Sequence, residues 1–393
     1  MQRLRQFFEL PQALRNWFWN AILFPFLLTR GIWIFIAYFA TNNFQPNPSY
    51  VRYVKQGYFL TRIFPIDIFA RWDSKWYFSI LKSGYQPSPD LRTVYSNLAF
   101  FPLYPYLVKS VGWLGLQLPD GFYIFLGVIL SNLLFLASAA LLYRMIVISL
   151  GFDGESAQRA SILLMLFPVS FFFSAFYPES LFLFLTVLGF TFALEENWAW
   201  TGICAGLVML TKPTGVVPVI ALAWLYMEKK QWKLQNIRFS VLWFLLPPVM
   251  LLLHFYDLYL VSGHPLAFLD TMQAWGGIQP ATYWNPFQNL AGPGLDVFKI
   301  DLVVTLLFLA GSVYILWKWP VKAYGVYSLL MVLLALSEGL LVSISRYLLV
   351  LFPIFIMFGD KLKRGKWFDL TAASFLALQV IYFAGWVNYY WIA

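Results

Sequence analysis

Long apolar runs separated by short polar gaps set the pattern of this chain, and they predict helices that cross a bilayer. A span needs about 20 apolar residues, fewer where neighbouring helices cover it. Runs at 21–41, 122–148, 160–176, 180–194, 200–210, 216–227, 241–261, 302–317, 323–343, 347–358 and 368–391 predict about 11 transmembrane helices. Several are too short to cross alone, which points to broken helices around a cavity. Residues 4–18 read as an amphipathic helix on the cytoplasmic surface. Residues 100–116 are apolar but are broken by Pro102 and Pro105 and carry Lys109, so they predict a helix lying in or dipping into the interface. Two longer polar intervals remain, a first outer loop at 42–121 and a second at 262–300. The expected fold is an all-α polytopic membrane protein, a single transmembrane domain over 1–393 whose first outer loop holds interfacial helices.

Composition strengthens this reading. Of 393 residues, 61% are hydrophobic and only 11% charged, more apolar surface than a soluble domain of this length needs. Arg3, Arg5 and Arg15 precede a long aromatic run without a small-residue cleavage site, so the N-terminus is expected to be retained. Cys204 is the single cysteine and lies in an apolar run, where it reads as a small buried hydrophobe. The net charge of +9 follows from cytoplasmic loops and anionic headgroups, and implies no nucleic-acid partner. With the N-terminus inside, 15 of the 27 cations fall on inner segments. The first outer loop is the exception, with eight cations from Arg52 to Lys109 against Asp67, Asp73, Asp90 and Asp120. Binding an anion there would supply a reason for cations on that side.

Candidate chemistry centres on Arg71-Trp72-Asp73-Ser74-Lys75-Trp76-Tyr77. Read as a helix, the stretch puts Asp73 beside Tyr77 and Trp72 beside Trp76, with Arg71 and Lys75 as a basic edge. A carboxylate among rings and cations suits a sugar and a phosphate; an interfacial helix with its charges in water would show the same residues. Asp67 is placed to pair with Arg71 four residues on. Four further clusters fall at outer span ends: Ser96-Asn97 leading through Phe100 to Tyr104 and Pro105, Tyr177 to Ser180 with Glu179, Lys212 to Gly215, and Ser345-Arg346-Tyr347. Glu179 also suits a helix N-terminus, and Lys212 and Arg346 also suit snorkelling to headgroups. His254 and His264 match no metal pattern, and neither a metal nor another cofactor is indicated. Without a glycine-rich nucleotide loop or a soluble domain, an enzyme of this kind would take an activated substrate from the membrane, with an anionic leaving group.

The same residues resemble a family, the phosphatidylinositol-glycan class V type mannosyltransferases and their bacterial relatives in the glycosyltransferase C (GT-C) superfamily. The resemblance rests on Arg71-Trp72-Asp73 with Tyr77, residues 100–105, Pro168-x-Ser170 leading to Tyr177-x-Glu179-Ser180, and Lys212-x-Thr214-Gly215, with a looser match at Ser345-Arg346-Tyr347. It implies a GT-C-type helical bundle in the plasma membrane that moves a sugar, mannose, from a polyprenyl-phosphate carrier to a hydroxyl of a glycan or lipid. Transfer would occur at the outer face with inversion, and Asp73 occupies the position of the general base. Substrate binding would then fall to Arg71, Trp72, Trp76, Tyr77, Asp67, Tyr104, Tyr177, Glu179, Lys212, Arg346 and Tyr347. A lipid or sugar transporter or flippase is the competing class. It should show internal repeats and charge at the bilayer midplane, whereas here the halves differ and the charges gather at outer ends.

Overall fold

The computed structural model describes residues 17–114, 118–274, 297–337, 344–363, 365–390 and 392. Nearly all of the amphipathic stretch expected at 4–18, most of the second outer loop and the end of the run at 323–343 lie outside them. Among the described residues the secondary structure is helical, without strands. That suits apolar runs in lipid, because a helix satisfies its backbone hydrogen bonds internally.

A wide helical turn at Phe18–Leu23 leads into α1 (Phe24–Asn43). The segment expected as the first outer loop folds as short pieces, α2 (Val51–Gln56), α3 (Phe64–Asp67), α4 (Ser74–Ser83) and α5 (Leu103–Lys109). The bundle continues with α6 (Asp120–Arg144), α7 (Gly154–Leu166), α8 (Glu179–Leu194), α9 (Trp198–Met209) and α10 (Val216–Lys229). Next come α11 (Leu246–Ser262), α12 (Ala267–Ala274), α13 (Val297–Lys318) and α14 (Ala323–Ser337). The chain ends with α15 (Ile344–Leu349), α16 (Phe352–Lys361) and α17 (Lys366–Val387). Five helical stretches are long and apolar enough to cross a membrane by length and composition: Phe18–Asn43, Asp120–Ser149, Phe239–Ser262, Lys299–Lys318 and Lys366–Val387. Shorter apolar helices, α8, α9 and α14, accompany them.

Their burial explains why the short ones are tolerated. α8 is buried along almost its whole length, packed against α6, α9 and α10, whereas α11 turns Leu252, Leu253 and Leu260 outward. The run at 160–176 is not one helix. α7 begins earlier, where the Asp153 carboxylate accepts from the Ser156 N–H at 2.6 Å as an N-cap. It stops at Leu166, two residues before Pro168, and the buried segment 167–178 returns irregularly to the head of α8. α7 also lies hard against α16, where a Cβ on Gly359 would come within 2.4 Å of the Ser156 carbonyl oxygen. There the Arg159 Nε donates to the Gly359 carbonyl at 2.8 Å. α17 packs on α1 and closes the bundle, and Asn388 Nδ2 donates to the Ala40 carbonyl at 3.2 Å.

Candidate active site

The turn before α4 is built differently from the continuous helix that the residue spacing suggests. α3 ends at Asp67, and residues 68–73 turn back before α4 starts at Ser74. Trp72 has φ of +52°, a left-handed conformation that costs a bulky residue about 1–3 kcal/mol and persists only where neighbours over-determine it. Tyr177 does so from 104 residues beyond Asp73. Its hydroxyl accepts from the Asp73 N–H at 2.9 Å and donates to the Arg71 carbonyl at 3.2 Å, bridging the peptide groups on both sides of Trp72. The break corrects two expectations. Trp72 and Trp76 do not share a helix face, and Arg71 and Lys75 form no common basic edge. Arg71 is buried and pairs with Asp67, while Lys75 is exposed.

Asp67 is committed to structure. Its carboxylate accepts the Phe59, Leu60 and Thr61 N–H groups at 2.8–3.0 Å as well as Arg71, and the Arg71 guanidinium lies 4.5 Å from the Tyr389 ring. The ion pair four residues apart is therefore present, and it fixes the loop ahead of the turn.

Asp73 faces a different cation. Arg346, 273 residues later, donates from Nη1 to Asp73 Oδ2 at 3.0 Å, and from Nε and Nη2 to Glu179 Oε1 at 3.2 and 3.0 Å. Lys212 Nζ donates to the same Glu179 oxygen at 3.1 Å. One planar guanidinium thus holds two carboxylates apart, a task suited to the rigid fork of arginine and not to lysine. The Phe172 and Tyr177 rings lie 5.0 and 4.9 Å from that guanidinium. All the members are withdrawn from solvent: Glu179 is 0% exposed, Asp73 7% and Arg346 8%. Among the described residues, Glu179 Oε2 is buried with no hydrogen-bond partner. Burial pushes the Asp73 carboxyl above its ordinary range, and the Arg346 guanidinium pulls it back. The cation acting most strongly on Asp73 is therefore Arg346, not Arg71 or Lys75.

The remaining candidates lie on the neighbouring elements. Tyr77, one turn into α4, is buried between the Tyr104 and Tyr177 rings at 6.0 and 5.8 Å. Tyr104 is turned toward α6, its hydroxyl donating to the Gly127 carbonyl and lying 3.0 Å from Ser131 Oγ, so it supports the floor. Trp76 stacks on Phe100 with Lys75 Nζ 4.7 Å from its own ring. Tyr347 sits with its ring 5.6 Å from Lys212 Nζ. Phe172, beneath Arg346, was illegible in the sequence because Phe171-Phe172-Phe173 reads as ordinary apolar filling. Among the described residues no group of three or more His, Cys, Asp and Glu side chains could hold a metal ion, and what lies between Asp73 and Glu179 is the guanidinium.

The chain is thus an all-helical protein with membrane-length spans and a buried, charge-compensated site at one end. Residues 48–209 match the family described as Mannosyltransferase (PIG-V). The resemblance read from the motifs is found again there, over a segment holding Asp67, Arg71, Asp73, Tyr77, Tyr104, Tyr177 and Glu179 but not Lys212 or Arg346. Over 118 residues the chain is 31% identical to GPI mannosyltransferase 2 of Drosophila pseudoobscura pseudoobscura. That stretch is 29% of this chain, and the chain spans about a quarter of the relative's length, 24%. Among solved structures it is similar to the Archaeoglobus fulgidus oligosaccharyltransferase. The apo form covers 92% of this chain and 55% of that one at 15% identity with a TM-score of 0.46. The complex with Zn and sulfate covers 80% and 47% at 16% identity with a TM-score of 0.45.

Proposed function

We propose that this chain is a membrane glycosyltransferase of GT-C type that moves a sugar, mannose or a close hexose, from a polyprenyl-phosphate carrier to a hydroxyl of a glycan or lipid acceptor. The observation that carries the reading is the buried set of Asp73, Arg346, Glu179 and Lys212, three of whose elements adjoin or fall within the segment similar to mannosyltransferases. Asp73 takes the proton of the acceptor hydroxyl as its oxygen bonds to the anomeric carbon. The bond from that carbon to the carrier phosphate breaks on the opposite side, so the configuration inverts. Charge develops on the departing phosphate, where Arg346 and Lys212 stabilise it through donors already in place. Glu179 holds those two cations ready, and Tyr77, Trp76 and Tyr347 wall the sugar. Arg71 and Asp67 serve by fixing the turn that presents Asp73.

The purified protein in vesicles, given polyprenyl-phosphate sugars and an acceptor, is expected to release polyprenyl phosphate as the acceptor gains the sugar. Carrier crossing the bilayer without that release would make the protein a flippase instead. The orientation belongs to the same reading, with the N-terminus inside and the site end outside. In a Cys204→Ala background, an impermeant thiol reagent added from outside is expected to label Gln86→Cys and spare Lys363→Cys; the reverse pattern would place the site on the inner face.

A further inference from the structure

Asp301 is a buried carboxylate that the proposed chemistry does not use. It lies near the start of α13, 3% exposed, and a carboxylate is withdrawn from water at a cost that its neighbours must offset. The Tyr382 hydroxyl of α17 donates to its Oδ1 at 3.1 Å, and Ser345 of α15 is its other polar neighbour. The adjacent residues repeat the register, since Leu302 and Ile344 share one buried apolar cluster with Ala335 of α14. Asp301 therefore ties three helices together at a point one residue from Arg346.

That tie matters because α15 is short. It has six residues, fewer than a free helix needs to hold its shape in isolation, yet its Arg346 must address two carboxylates with a fixed fork. We propose that Asp301 is a positioning residue that sets the direction of the Arg346 guanidinium through Ser345, with Tyr382 fixing the Asp301 rotamer. Its catalytic consequence rests on the function proposed above; the positioning itself does not.

The test uses phenylglyoxal, which modifies arginine, on the full-length protein in detergent, with each site followed by mass spectrometry. In the wild type Arg346 is expected to react slowly, being buried and ion-paired. In Asp301→Asn, and in Ser345→Ala, it is expected to react severalfold faster while Arg71, tied to Asp67, keeps its rate. Turnover should fall about tenfold in Asp301→Asn, and by much less in an Arg346→Lys background where the fork is already gone. Arg346 reacting no faster in both variants would overturn the proposal, as would an equal loss of turnover in the two backgrounds. A wild type that transfers no sugar, with Arg346 still freed by Asp301→Asn, would overturn the proposed function and leave the positioning role standing.

Discussion

Both ends of the bundle carry exposed ion pairs, but among the described residues pairs with both side chains 11% exposed or less are found at one end. Lys230, just past α10, pairs with Glu196, between α8 and α9, at 3.1 Å, and Arg159 pairs with Glu155 within α7 at 3.3 Å; the two glutamate side chains are 49% and 66% exposed. At the other end Arg346 pairs with Asp73 and Glu179 at 3.0 Å and Lys212 with Glu179 at 3.1 Å, with every side chain 11% exposed or less. Solvated pairs contribute about 0–1 kcal/mol. Buried ones lose about as much in desolvation as they regain, and apolar residues of the same volume would often serve stability better. A fold that needed only stability has no reason to bury four charges at one end. Geometry that stays fixed while charge changes on a substrate is a reason, since donors held in place need no rearrangement during reaction.

Thermal unfolding of single variants should rank accordingly. Arg346→Ala leaves Asp73 and part of Glu179 unpaired and is expected to cost about 3–5 kcal/mol. Tyr177→Phe removes the hydroxyl that bridges the turn across Trp72 and is expected to cost about 1–3 kcal/mol, by orphaning the Asp73 N–H and leaving the Arg71 carbonyl with the Ser74 N–H alone. Glu196→Ala at the opposite end should change stability by about 0–1 kcal/mol. Equal costs at the two ends would remove the contrast.

A subtler difference lies in pH. The folded protein holds the Asp73 carboxyl above its ordinary range through burial, against the pull of Arg346. Such a raised group contributes stability below its unfolded pKa and loses it as the pH rises through the folded one. A base needs the ionised form, so turnover should fall as pH drops through the raised value. Arg346→Gln removes the counter-pull, so the acid limb of the residual kcat/KM profile should move to higher pH. Lys230→Gln should leave it in place. An unmoved limb in Arg346→Gln would mean that another group governs it.

How much of this was legible in the chain depends on range. Apolar runs marked the helices, because crossing a bilayer leaves a pattern no local detail can erase. The share of cations in alternate loops put Asp73, Glu179, Lys212 and Arg346 at one end, and the structure brings those four into contact. The Asp67–Arg71 pair was readable because both partners lie on adjacent turns. What could not be read was specific pairing at long range. Spacing suggested one helix through Trp72, but the bridging hydroxyl of Tyr177 favours a left-handed residue there. Arg71 was expected beside Asp73, yet Asp67 captures it, and Arg346 takes its place from 273 residues away. Asp301 drew no notice because a lone carboxylate at a span end resembles any other helix start.

The central claim is that Asp73, and not the other buried carboxylates of this end, is the base. It is tested most directly by transfer kinetics of Asp73→Asn, Asp67→Asn and Glu179→Gln in the purified, vesicle-reconstituted protein with carrier binding measured alongside. Loss of a general base costs about 10²- to 10⁴-fold, so Asp73→Asn should lose most turnover while it still binds the carrier. Asp67→Asn should lose less, through the loop it holds, and Glu179→Gln should weaken carrier binding as Arg346 and Lys212 lose their shared partner. Near wild-type turnover in Asp73→Asn, with turnover abolished in Asp67→Asn or Glu179→Gln, would contradict the assignment.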